Sequence, residues 1–175
     1  LDHCGYLPKL VNQGFSGPIH CTQPTADLVK IILEDSAKIQ EEESDRANRL
    51  GYTSHAEAKP LYTLQDVQNV LPLLVGHEYS EWVLINPTFK FQLHTAGHIL
   101  GSAMIEMEVG EKTIVFSGDL GTSEPLLLTP PKHLKCANLL VLESTYGDRL
   151  HPETPAYDDV KIAVLSAAKK NGTLI

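Results

Sequence analysis

Residues Phe89 to Thr122 read FKFQLHTAGHILGSAMIEMEVGEKTIVFSGDLGT. Ala103, Ile105, Met107 and Val109 alternate with Ser102, Met104, Glu106 and Glu108, Gly110-Glu111 supplies a turn, and Lys112 to Ser117 runs back; this is the period-two pattern of a β-hairpin. His98 stands just before the first strand and Asp119 just after the second. Antiparallel neighbours lie about 4.8 Å apart, so the hairpin returns both residues to one edge of a sheet. Each sits in a short polar cluster between glycines, Gly97 and Gly101 around His98, Gly118 and Gly121 around Asp119, and a residue without Cβ permits sharp turns and close approach. One His and one Asp do not make a metal site, and taken alone they favour a capped hairpin with polar loop residues.

The chain has 175 residues, 42% hydrophobic and 21% charged, with a net charge of −8. That length suffices for one domain burying roughly 70% of its unfolded surface. An acidic chain carries no electrostatic footprint for nucleic acid, which calls for clustered Lys and Arg, so a polyanionic substrate would have to be met by bound metal or by further polypeptide. Cys4, Cys21 and Cys136 are the three cysteines; an odd, scattered set suits a reducing compartment, with the cytoplasm as the default. No apolar run reaches the ~18 residues of a membrane span, and an opening with Asp2 and His3 does not read as a signal peptide. The chain starts at Leu1 without an initiator Met, which reads as a piece of a longer protein.

Leu7, Leu10 and Val11 predict a short helix ending near Gly14, which puts Asp2 and His3 at its N-terminal side. These two alone are most simply an N-capping Asp beside a surface His. Gly17 to Cys21 reads as a strand, and Gln23-Pro24-Thr25 starts a helix with Leu28, Ile31, Ile32 and Ile39 as its apolar stripe, followed by the solvated run Glu41 to Arg46. The pairs His3-Cys4 and His20-Cys21 lack the spacing of a structural zinc site, and Cys21 suits a small core position. Gly51 to Tyr62 reads as a loop carrying His55. Thr63 and Asp66 form a capping box for a helix running to near Gly76. Trp82 to Ile85 reads as a strand, and Phe89, Phe91 and Leu93 alternate into the central hairpin. A loop spans Glu124 to Lys135. The run Leu139 to Leu142 suits a strand covered on both faces and delivers Glu143 to its end. A helix from about Pro155 to Lys170, with Val160, Ala163, Val164 and Ala167, precedes a strand starting at Thr173 and continuing into Ile175.

Four stretches together resemble the metallo-β-lactamase superfamily. Leu1-Asp2-His3-Cys4-Gly5-Tyr6-Leu7-Pro8 is similar to the tail of its His-x-His-x-Asp-His signature, Ala96 to Ala103 to its third motif, and Ser117-Gly118-Asp119-Leu120-Gly121 to its fourth. Leu142-Glu143-Ser144-Thr145-Tyr146-Gly147-Asp148 resembles the acidic first motif of the β-CASP branch. Within that branch, the wording is similar to the RNA-processing nucleases grouped with the endonuclease of the pre-mRNA 3′-end cleavage complex. The resemblance implies an α/β (α+β) fold, a partial metallo-β-lactamase αββα sandwich over residues 1–150 and the opening of a β-CASP domain over 151–175, as an internal fragment. It also implies two Zn2+ in the intact enzyme: Asp2 and His3 on one, His98 on the other, Asp119 between them. Asp2, Asp119 and Glu143 carry its catalytic roles, Glu143 by orienting a histidine of the β-CASP segment.

The activity implied is hydrolysis of RNA phosphodiester bonds, because two zinc ions can activate a bridging water and neutralise phosphate oxygens. The partner implied is single-stranded RNA, with no membrane; assembly state is open, a homodimer included, as are the endonucleolytic or exonucleolytic mode and the roles of His94 and His151. The isolated piece is expected to have no useful nuclease activity and at most weak zinc affinity. A small-molecule hydrolase acting on a thioester or lactam would share Asp2, His3, His98 and Asp119, but has no need of the Glu143 motif. An inactive scaffold paralogue usually loses ligands, and every ligand position within this stretch is filled.

Overall fold

The computed structural model describes residues 2–125, 127–150 and 156–174. Leu1, Leu126 in the expected loop, His151, Pro155 and Ile175 lie outside the described residues. Contacts divide the chain into two units, Leu1–Glu143 and Ser144–Ile175.

In the first unit, α1 (Leu7–Asn12) leads to β1 (Ile19–Thr22) and then α2 (Gln23–Leu50). Thr22 caps α2, accepting the amide of Thr25 through its hydroxyl, with Pro24 in the first turn, where its missing N–H costs nothing. The helix runs without a break through the Glu41–Arg46 charges and ends at Gly51, whose φ of +68° suits glycine. Its buried stripe is Val29, Leu33 and Ala37, with Ala47 near the end. That corrects the expected stripe: Leu28 and Ile32 flank it half-buried, while Ile31 and Ile39 face solvent. The small Ala37 marks the side where neighbours approach closely, a cue that hydrophobicity alone conceals.

α3 (Leu64–Val70) opens with the predicted capping box: the Thr63 hydroxyl accepts the Asp66 amide, and the Asp66 carboxylate accepts the Thr63 amide at 2.7 Å. The helix stops well before Gly76. Pro72 cannot donate, so the chain tightens into a 3-10 turn at Leu71–Leu73 and enters an unexpected strand, β2 (Leu74–His77), parallel to β1. Val29, Leu33, Ala37, Tyr62, Val67 and Val70 form the core, with Cys4, Leu7, Val11, Ile19, Leu71 and Leu74 packed against it. Each fully buried Leu or Val contributes about 1.5–3 kcal/mol.

The second sheet is β3 (Val83–Asn86), β4 (Phe89–Thr95), β5 (Ala103–Val109), β6 (Lys112–Phe116) and β7 (Leu139–Val141), in that order, antiparallel except for the parallel β6–β7 pair. The expected hairpin is β5–β6, with Val109 opposite Lys112 and Ile105 opposite Phe116. The two sheets meet where the rings of His20 and His77 contact Phe91, with centroids 5.3 and 5.7 Å away. The Leu139–Leu142 run is not covered on both faces: all four residues are exposed, and β7 is a three-residue strand at the sheet edge with β6 as its partner.

In the second unit, Ser144 to Arg149 turns back on itself, with the Gly147 amide donating to Ser144 O at 2.9 Å. α4 (Ala156–Lys169) follows. Ala163 and Ala167 are half-buried, while Val160 and Val164 are exposed. Thr173 and Leu174 form no strand, there being no strand beside them to pair with among the described residues. No helix among the described residues is long and apolar enough to cross a membrane.

Candidate metal centre

The β5–β6 hairpin places His98 and Asp119 at one end of the sheet. The His98 loop is closed by Ala96 N donating to Ser102 O at 3.2 Å, and the Ser102 hydroxyl oxygen accepts the amides of His98 and Ile99 at 3.1 and 3.2 Å. The Asp119 loop is held against it by Gly121 N donating to Ala96 O at 2.8 Å. A Cβ on Gly121 would fall 1.8 Å from Gly97 O, so glycine is what lets these two backbones touch. From the far side, the hydroxyls of Thr22 and Thr25 at the start of α2 donate to Gly101 O at 2.8 and 3.0 Å. Helix α2 therefore anchors the His98 loop.

Asp2 and His3, ahead of α1, reach the same place. His3 Nε2 lies 3.1 Å from Asp119 Oδ2 and 3.3 Å from Asp2 Oδ2, and His98 Nε2 lies 3.8 Å from Asp119 Oδ2. Among the described residues, Asp2, His3 and Asp119 form the one set of three or more His, Cys, Asp or Glu side chains with ligand atoms all within 4.8 Å of one another. His98 touches that set through Asp119, which stands between the two imidazoles. His3 is 59% exposed, His98 45% and Asp119 40%, so the donor atoms remain open to solvent. A hydrogen bond accepted from its own backbone amide, and then His3, hold the Asp2 carboxyl below its ordinary range.

Glu143 ends beside them from β7. Its amide donates to Ser117 Oγ at 3.0 Å, and its carboxylate accepts a short hydrogen bond from the amide of Leu120. It thus grips the residue after Asp119, a contact that sequence reading did not anticipate. The His-Cys pairs form no such cluster; Cys4 packs on the core, and burial pushes the thiols of both Cys4 and Cys21 up. His94 on β4 is buried, is not among the clustered ligand atoms, and has Glu106 as a partner.

No family model matches the chain. Among its curated relatives are Ribonuclease TTHA0252 of Thermus thermophilus, 36% identical over 86% of this chain and 31% of that protein, and Transcription termination factor FttA of Methanocaldococcus jannaschii, 33% identical over 91% and 22%. Integrator complex subunit 11 of Danio rerio is 31% identical over 84% of this chain and 23% of its own length. The chain belongs to the β-CASP branch of the metallo-β-lactamase superfamily. It spans about a third or less of the length of these β-CASP relatives. Its architecture is mixed α/β, two sheets with helices.

Proposed function

We propose that this chain forms part of a zinc-dependent ribonuclease that hydrolyses phosphodiester bonds of single-stranded RNA in the cytoplasm. The observation that carries the reading is Asp119 Oδ2, 3.1 Å from His3 Nε2 and 3.8 Å from His98 Nε2, with residues from three distant stretches brought to one rim. Imidazole nitrogen and carboxylate oxygen are donor types that zinc takes, and their exposure leaves room for an ion and a substrate. The donor set therefore fits the metal. Asp2 and His3 would hold one zinc, His98 a second, and Asp119 both. When bound, the pair would supply an activated water and positive charge toward a phosphate.

The chain's own residues prepare that edge. Glu143 fixes the Leu120 amide and with it the approach of Asp119; Ser102 fixes the backbone at His98; Gly97 and Gly121 let the loops meet. The two sheets and flanking helices are read as part of an αββα sandwich, and α4 as the opening of a β-CASP segment after residue 150. Four donor side chains cannot fill two tetrahedral ions, so the 175-residue chain by itself is expected to bind zinc weakly and to cleave nothing.

The test uses the full-length parent. Asp119→Asn removes the charge shared between the metals and should cut cleavage of single-stranded RNA by more than about 100-fold, beyond the cost of losing an outer partner. Unimpaired cleavage would refute the assignment.

A further inference from the structure

Behind the rim runs a second polar chain that the proposed chemistry leaves unused. Lys132 Nζ donates to Ser80 Oγ at 3.1 Å, Ser80 Oγ lies 3.5 Å from His94 Nδ1, and His94 Nε2 lies 2.6 Å from Glu106 Oε2, which also accepts from Gln92 Nε2 at 3.0 Å. One assignment of protons satisfies every link: Lys132 to Ser80, the Ser80 hydroxyl to His94 Nδ1, and His94 Nε2–H to Glu106. His94 is 1% exposed, so both of its ring nitrogens need these partners. Ser80 has a φ of +64°, a left-handed backbone that a residue bearing a Cβ adopts only when its surroundings impose it. Its amide is fixed as well, donating to Leu93 O at 2.7 Å.

Lys132 is held at two points, by its ammonium on Ser80 and by its amide on Thr95 O at 3.0 Å. The segment before it lies on Gly97, where a Cβ would come within 2.8 Å of both Pro131 Cδ and Thr129 O. Gly121 occupies the other contact of Gly97. Gly97 is thus clasped between the Thr129–Pro131 segment and the loop that carries Asp119.

We propose that Lys132, Ser80, His94 and Glu106 act as one positioning chain, locking the Thr129–Lys132 segment onto Gly97 and thereby holding the His98 loop against the Asp119 loop. The inference rests on the metal-edge reading for its purpose, while its geometry is testable without metal.

Amide NMR spectra of the metal-free chain decide it. Lys132→Met should move the resonances of His98, Asp119 and Gly121 as well as those near the substitution. Lys132→Arg should restore them, Ser80→Ala should move the same set, and the double variant should add nothing further. Zinc titration of Lys132→Met should then show affinity reduced by up to about 10-fold, the lower end of what ligand-orienting partners contribute. Shifts confined to Ser80, His94, Thr95 and Lys132, or additive effects of the two substitutions, would overturn the proposal. Should Ser80→Ala fail to fold, the Lys132→Met and Lys132→Arg pair decides alone, since that side chain is exposed. A wild-type chain that binds no zinc would count against the metal reading and leave the amide result standing.

Discussion

His94 and His98, four residues apart along the chain, belong to two different groupings of histidine and carboxylate, and burial separates the work of the two. His94 and Glu106 meet across β4 and β5 at 2.6 Å, with His94 sealed from solvent. His3, His98, Asp2 and Asp119 meet at the rim with longer separations of 3.1 to 3.8 Å and open donor atoms. A buried polar pair is satisfied internally and fixes structure; an exposed convergence of the same groups contributes little to stability. On the proposed reading, the rim carries the chemistry and the sealed pair holds it still.

The sharpest way to break this contrast is to cut the sealed pair. Glu106→Ala leaves His94 Nε2–H without its acceptor in a dry site and should lower unfolding stability by about 1–3 kcal/mol, read from denaturant midpoints. A loss no greater than that of a surface substitution would erase the distinction.

The sequence made the hairpin legible because its alternation is regular and its turn carries glycine, and that was enough to bring His98 beside Asp119. Asp2 and His3 were legible through motif resemblance alone; nothing in their spacing shows that a loop before α1 reaches a rim nearly 120 residues further on. β2 was missed because Val67, Val70, Leu71 and Leu74 continue a helical period past Pro72, and only the partner β1 makes Leu74–His77 a strand. The α2 stripe was misplaced because Ile31 and Ile39 outweigh Ala37 in hydrophobicity although Ala37 is what packs. His94 sits on the polar alternation of β4, and its partners Ser80 and Glu106 come from other segments, which local pattern does not encode.

A smaller effect is expected at the α3 cap, a polar pair of intermediate exposure. Thr63→Ala should cost about 1 kcal/mol. Its partner Asp66 is held below its ordinary value of 3.8, chiefly by the Thr63 amide. A carboxylate depressed in the fold stabilises fully above its unfolded value, and that stability is lost as pH falls through the depressed one. The gap between wild type and Asp66→Asn should accordingly narrow as pH falls below 3.8; a gap that stays constant as the pH falls would place the effect elsewhere.

The weakest predicted signal sharpens the contrast from the middle. His20 Nδ1 and His77 Nε2 are 2.8 Å apart, half-buried on Phe91. Burial first, and then His77, depress His20 below its ordinary 6.5. A base depressed by folding contributes fully above its unfolded value, so stability should fall as pH drops from 6.5 through the depressed value. Thermal midpoints between about pH 5 and 8 should decline less steeply for His20→Phe than for wild type; parallel curves would remove this pair from the account.

The central claim is that Asp119 joins two imidazoles into a metal-binding edge. Calorimetric titration of the 175-residue chain with zinc, beside Asp119→Asn at equal folded stability, tests it most directly. The prediction is weak binding, roughly micromolar or poorer as four donors allow, that disappears in Asp119→Asn while the unfolding midpoint stays within about 0.5 kcal/mol of wild type. Nanomolar binding at two sites, or binding unchanged by the substitution, would contradict it.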